Sequence, residues 1–367
     1  MTPLQPPPHH AGMTRFFSHG GHFALAWLLP LAVAAGLAVS PLVALAVMLG
    51  MQVLLALAER LPALAHSPPA APSTAWHRLV PRLHVALQAG LLGWALYTLH
   101  QLPQAFAGAV SVPGWAAVVA AGVAVGGVAG SQGITIAHEL GHSRSRLDRS
   151  LAWLLMGSVL YAHFMVEHYR GHHVRAATFD DPASARRGES LWRFLPRTLL
   201  GSWRSAWQLE AQRLMQHRLR WQHSTLLWAT VAQAAGLLLL FAALGAWALL
   251  FWLVQAAYAV FLLEAINYIE HYGLQRRLQG SRPEPFGMAH AWNADSALTN
   301  AFVINLQRHS DHHMHAWKPY AELQPLPGPQ LPTGYAGCLF LASVPPLWFA
   351  VMEPRLKAME PRVKTAA

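Results

Sequence analysis

The sequence predicts an all-α integral membrane protein with about six transmembrane helices and a cytoplasmic, helical, histidine-rich region. Three observations lead there. Of 367 residues, 54% are hydrophobic and only 11% charged, against roughly 25% charged in an ordinary soluble domain. Apolar runs recur at the length of about 20 residues that a bilayer requires. The basic residues are confined to alternate connections between those runs, as the positive-inside rule demands.

Taken in order, segment 1–21 holds one arginine, Arg15, and lacks a small-residue cleavage site. The expectation is a cytoplasmic N-terminus whose first apolar run stays as an anchor. Spans are predicted at 22–38, 40–58, 82–99 and 114–136, so that 22–136 forms the first four transmembrane helices. A cytoplasmic loop region follows at 137–224, then a transmembrane hairpin at 225–268 with spans 225–243 and 246–268. Region 269–367 is read as cytoplasmic, with an interfacial C-terminus because Pro345 and Pro346 interrupt the apolar stretch 334–352. The stretch 151–165 is apolar but short, fitting a buried or re-entrant segment, and the Pro/Ala-rich stretch 62–73 reads as a flexible loop. Connections 39–40, 100–113 and 244–245 hold no lysine or arginine. Six spans place every basic segment on one side, with both termini there.

The formal net charge is +10. Because the arginines sit between apolar segments, it reads as a topology signal and as contact with anionic membrane lipid, not as a nucleic-acid surface. A single cysteine, Cys338, excludes an internal disulfide, a CxxC metal knuckle and a cysteine-ligated iron–sulfur centre.

The 22 histidines are clustered. HELGH places His138 and His142 four apart, on one helical face. EHYRGHH brings His168, His172 and His173; NYIEHYG brings His271; QRHSDHHMH brings His309, His312 and His313, with His315 close behind. Neutral imidazoles suit iron, zinc or copper, and nine donors exceed what one ion takes, so two ions with open positions are expected. Glu139, Glu167, Glu270, Asp311 and the intramembrane Glu264 are candidate acceptors for the ring N–H groups turned away from metal. HELGH alone also fits the HExxH zinc-peptidase pattern, with Glu139 as base.

HELGH, EHYRGHHVRAATFDDPASARRGES, LLEAINYIEHYGL and LQRHSDHH resemble the membrane-bound alkane 1-monooxygenases, part of the fatty-acid desaturase/hydroxylase group, from about residue 130 onward. The chain departs from that pattern at Ser143, where the family usually has lysine, and in AERLPALAHSPPAAPSTAW, which lacks an acidic GED-type motif. The resemblance implies a bacterial inner-membrane enzyme holding two iron ions (Fe2+/Fe3+), with no haem and no bound flavin. Its ligands would be His138, His142, His168, His172, His173, His271, His309, His312 and His313; Asn267 and Tyr268 belong to the shared pattern, and Asn267 is a further candidate around the ligands. It implies insertion of one atom of O2 into a terminal methyl group of a medium- to long-chain n-alkane. Electrons would come from rubredoxin and a flavin-containing NAD(P)H reductase. A xylene or alkylaromatic methyl hydroxylase and an acyl-lipid desaturase or hydroxylase are the alternatives with related chemistry. An apolar substrate partitions into the bilayer, so a channel walled by the second, third and fourth spans is expected, with Met48, Met51, Trp94 and Tyr97 as candidates to limit its depth.

Overall fold

The computed structural model describes residues 20–105 and 114–359. Among them, six helices are long and apolar enough to cross a membrane. The first span, Gly21–Val39, begins as a 3-10 helix and continues as α1 (Leu28–Val39); α2 (Pro41–Ala58) follows after Ser40, whose hydroxyl accepts the Val43 N–H and caps it. The third is α3 (Ala75–Ala105) and the fourth is α4 (Gly114–His142). After two shorter helices, α5 (Arg146–Ser158) and α6 (Phe164–Arg175), and the long α7 (Leu191–Gln216), the hairpin of α8 (Thr225–Leu244) and α9 (Ala246–His271) completes the set. Gly245, at φ 84°, makes the turn between them. Three shorter segments matter later: α10 (Ala297–Phe302), α11 (His309–Met314) and α12 (Tyr335–Ser343); α12 meets α13 (Pro345–Met359) at a 120° bend. Segment 1–19 and the stretch 106–113 of the uncharged 100–113 connection lie outside the described residues.

Two spans run further than their hydropathy. The fourth, expected to end at 136, continues to His142, and the sixth, expected to end at 268, continues to His271. Helical hydrogen bonding does not stop where apolarity does, so two histidine motifs ride on the ends of spans instead of on loops. The third begins at Ala75, seven residues before the predicted 82.

Span α4 is the axis of the bundle: 83% of its apolar window is buried, against 6% for α8, whose surface is left to lipid. Its burial follows from a ladder of small residues. Gly122, Gly126 and Gly130, four apart, put one glycine face against α9. A Cβ at Gly130 would stand 2.8 Å from Ala259 Cα, and one at Gly126 would stand 2.9 Å from Gln255 Cα. In lipid, such close backbone approach is how helices gain packing energy. Gly127 admits the Met48 side chain of α2. Consequently α2 and α9 both pack along α4 and only marginally on each other.

The 62–73 stretch is not a free loop. Pro68 O accepts from Arg308 Nη2 at 2.8 Å, Ser67 Oγ accepts from Asn300 Nδ2 at 2.7 Å, and Ala71 N donates to Ala321 O at 2.9 Å. Proline and alanine carry no side-chain signal for docking, but their backbone groups are bonded to the histidine-bearing region. A Gly130→Val variant should lose about 1–3 kcal/mol through forced separation of α4 from α9. It should melt at lower temperature in detergent, while Gly90→Ala, where added atoms meet nothing within 4 Å, should leave the transition close to wild type.

Candidate metal centre

All nine histidines singled out in the sequence converge, in two groups. His138, His142, His168, His173 and His312 offer one nitrogen each, all within 4.8 Å of one another; His172, His271, His309 and His313 do the same. Helices α6 and α11 serve both groups and so lie between them. In α6 the division follows from a π turn at His168–His172, where the His173 N–H bonds to His168 O. The wider turn lets His168 and His173, five apart, meet at Nε2···Nε2 3.0 Å, while His172 serves the other group. In α11, His309 and His313 share a group at the i,i+4 spacing, and His312 turns to the first.

The donor set fits metal. His173 Nε2 is 3.3 Å from His312 Nε2, and His271 Nε2 is 3.2 Å from His309 Nε2. About 3 Å is also the spacing of adjacent nitrogens around one ion bound at ~2.1 Å. The Nε2 atoms of His138, His142 and His172 and both nitrogens of His313 are buried without a hydrogen-bond partner, a costly arrangement unless a cation completes it. Burial, reinforced by neighbouring rings, holds His168, His173, His309, His312 and His313 well below the usual imidazole range, which keeps them neutral as ligands require. His172 differs. Burial works against its charge, but Asp181, 2.9 Å from Nδ1, outweighs it and raises the ring's pKa, while the same contact holds Asp181 down to about 2 despite burial. The Nδ1 bond leaves Nε2 available to the group.

Asp181 was not legible beforehand: it lies in a loop, nine residues beyond its histidine, where no helical spacing points to it. Of the expected acceptors, Glu270 does meet a ligand candidate, with Oε1 3.2 Å from His309 Nδ1, and it also accepts the Tyr335 hydroxyl. The others serve neighbouring structure. Glu139 receives the Tyr320 N–H at 3.2 Å; Glu167 binds Arg175 and Ser205 at 2.8 and 2.6 Å. Asp311 binds His315 and Lys318 at 2.7 and 2.9 Å, which accounts for His315 standing outside both groups. Glu264 faces the bundle interior, accepting from Tyr161, Thr198 and Asn267 at 2.7, 2.7 and 3.2 Å, and none of these is a histidine. The Tyr268 hydroxyl donates to Glu189 O at 2.7 Å. Gly141 of HELGH is required by close approach: a Cβ there would overlap the Tyr169 hydroxyl, which donates to His138 O at 3.1 Å.

A cavity of about 110 Å³ opens on the histidines, reaching His138, His168 and His309. It occupies the gap that α2 and α9 leave over α4, with Leu55, Ile134, Leu263, Ile266 and Leu339 among its apolar walls. The walls thus come from the second, fourth and sixth spans and from α6, α10, α11 and α12, not from the third span. Met48, Met51, Trp94 and Tyr97 do not line it. Met48 is fully buried against Gly127, and Trp94 and Tyr97 stack on each other on a half-exposed face of α3. On α2 the lining residues are Gln52 and Leu55, which helical rotation turns toward the gap.

A six-span bundle carrying two buried histidine groups at the ends of its spans defines a histidine-rich membrane metalloprotein. The fatty acid desaturase family profile matches residues 113–340, and the chain belongs to that family. Among curated relatives, alkane 1-monooxygenase 2 of Pseudomonas aeruginosa is 41% identical over 77% of this chain and 74% of its own length. Alkane 1-monooxygenase 1 of the same organism is 44% identical over 67% and 65%. The xylene/toluene monooxygenase hydroxylase component of Pseudomonas putida is 30% identical over 63% of each. Within the desaturase family, this chain is therefore a member of the alkane 1-monooxygenase family and a multi-pass membrane enzyme, not a HExxH peptidase. The three added histidines around His138 and His142, and a Glu139 engaged by Tyr320, exclude the peptidase arrangement.

Replacing Asp181 by Asn should weaken metal retention on the order of 10–100-fold, since the ring orientation of His172 loses its charged acceptor. Competition with a chromophoric chelator measures this; retention equal to wild type would show that Asp181 does not orient a ligand.

Proposed function

We propose that this protein is a di-iron monooxygenase that hydroxylates the terminal methyl group of a medium- to long-chain n-alkane, with O2 and electrons delivered by rubredoxin and its flavin-containing NAD(P)H reductase. The observation that carries this reading is the pairing of five and four convergent imidazoles with a cavity whose walls are almost wholly hydrocarbon. Five donors exceed the tetrahedral set of a structural zinc. Neither group includes a carboxylate among the described residues, so the two ions would be held by histidines alone.

The overall balance is one hydrocarbon, one O2, two electrons and two protons giving one alcohol and one water. Iron, when bound, supplies the oxygen chemistry that no side chain can provide. The chain's own residues do the rest. His138, His142, His168, His173 and His312 would hold one ion and His172, His271, His309 and His313 the other. Leu55, Ile134, Leu263 and Leu339 exclude water from the gap. Relatives named for alkanes, at 38–44% identity, favour a linear substrate over the alkylaromatic one of the 30% relative.

With one cysteine in the chain, electrons have to arrive from a separate carrier. The positive-inside rule places the histidine end, with exposed Arg144, Arg146 and Arg186, in the cytoplasm of a bacterial inner membrane, where an acidic carrier would dock.

Elemental analysis of protein purified in mild detergent should find two irons per chain, lost on His172→Ala or His312→Ala, and the iron-loaded protein should oxidise alkanes when rubredoxin, reductase and NADH are supplied. One zinc and no iron would overturn the proposal.

A further inference from the structure

Three walls of the cavity, those supplied by α2, α10 and α12, meet at one side chain, Glu59. It follows the last residue of α2 and lies on the same helical face as Gln52 and Leu55, the two α2 residues that line the cavity, at spacings of three and four. Its carboxylate accepts four hydrogen bonds. Oε1 takes the Thr299 hydroxyl at 2.7 Å and the Ala336 N–H at 3.1 Å; Oε2 takes the Thr333 hydroxyl at 3.0 Å and the Gly337 N–H at 2.8 Å. Thr299 belongs to α10 and Ala336 to α12, and both line the cavity. Two of the donors are free N–H groups in the first turn of α12, where a carboxylate is doubly favoured by hydrogen bonding and by the helix dipole. The approach is close enough to require glycine before the helix: a Cβ on Gly334 would overlap the carboxylate.

Helix α12 in turn reaches the metal centre. Its first residue, Tyr335, lines the cavity, donates its hydroxyl to Glu270, and Glu270 lies against His309. The same helix packs on both α2 and α9, covering the end of the gap between them. Whatever fixes α12 relative to α2 fixes the width of the gap and the wall nearest the histidines.

We propose that Glu59 is a positioning residue for the substrate: by fastening α2, α10 and α12 to one another, it sets which carbon of the chain in the cavity faces the metal centre. A neutral amide at 59 keeps one acceptor oxygen but turns an N–H pair toward the Gly337 N–H and Thr333, so α12 loses one of its two anchors. The wall then moves by a fraction of an ångström to an ångström, the scale at which reacting geometry is lost. The inference depends on the hydrocarbon-hydroxylase reading above for the identity of the substrate, not for the existence of the clamp.

The test uses full-length, iron-loaded protein in lipid nanodiscs, comparing wild type with Glu59→Gln and Thr333→Val. Thr333 removes one partner of Glu59 without touching the cavity lining, so it stands in if Glu59→Gln fails to fold. Three quantities are read: iron per chain, amide hydrogen exchange across 335–343, and the ratio of primary to secondary alcohol formed from a linear alkane. Both variants are expected to retain iron, to exchange faster in the first turn of α12, and to lose primary-alcohol selectivity on the order of tenfold. Wild-type selectivity together with faster exchange would reduce Glu59 to a structural cap, and unchanged exchange would remove the clamp itself. If wild type oxidised no alkane, the functional reading would fail instead. The protection that a bound long-chain alkane gives α12, present in wild type and lost in Glu59→Gln, would then still decide the role of Glu59.

Discussion

Nine imidazoles gathered in a buried space cannot all carry protons together, and the ring nitrogens left there without a hydrogen-bond partner, on His138, His142, His172 and His313, are best completed by a cation among them. That constraint organises the molecule. The rings come from four separate places in the chain, the ends of α4 and α9 and the helices α6 and α11, and three of these are held by a residue that is not a ligand. Tyr169 secures the turn carrying His138, Asp181 orients His172, and Glu270 stands behind His309. Buried charges elsewhere are paired to the same end. Arg308, 1% exposed beside His309, binds Asp295 at 3.0 Å and the carbonyls of Leu323 and Pro68 at 2.7 and 2.8 Å.

The membrane part supplies what the histidines cannot, a dry approach. Glycines on one face of α4 bring α9 close, Gly127 brings α2 close on another, and the two flanking spans are thereby kept apart. A gap between helices in a bilayer is a place where hydrocarbon already is. The cavity at its end needs few polar groups, and those it has, such as Gln52, Thr135 and Asn267, are outnumbered by aliphatic walls. Helix α12 closes the end of the gap and joins the approach to the metal centre through Tyr335 and Glu270. Access and chemistry are thus coupled mechanically through the helix that Glu59 fastens.

The carboxylates beside the histidines illustrate how proximity in sequence misleads. Glu139, Glu167 and Asp311 each adjoin a histidine, yet adjacent residues on a helix point about 100° apart, so a neighbour of a ligand is turned away from the ligand's own contacts. Their oxygens find Tyr320 N, Arg175 and Lys318 instead. Glu270 meets His309 and not its neighbour His271 for the same reason. Asp181 reaches its histidine because a turn, not a helix, separates them.

The six spans and all nine convergent histidines were determined by sequence alone, because hydrophobic length and ligand chemistry are properties of residues taken in short windows. The family could be recognised for the same reason, from four motifs that each keep their chemistry within a few residues. The division of the rings into five and four was decided by tertiary structure, since it depends on a π turn in α6 whose hydrogen-bonding step no short pattern reveals. The cavity walls were likewise settled in three dimensions. Which of several apolar faces looks into the gap depends on how α4's glycines seat α2 and α9, so Met48 went to packing and Leu55 to the lining. The partners of Glu59 lie some 240 to 278 residues away in the chain, a separation at which only the folded backbone can bring a carboxylate to the start of a helix.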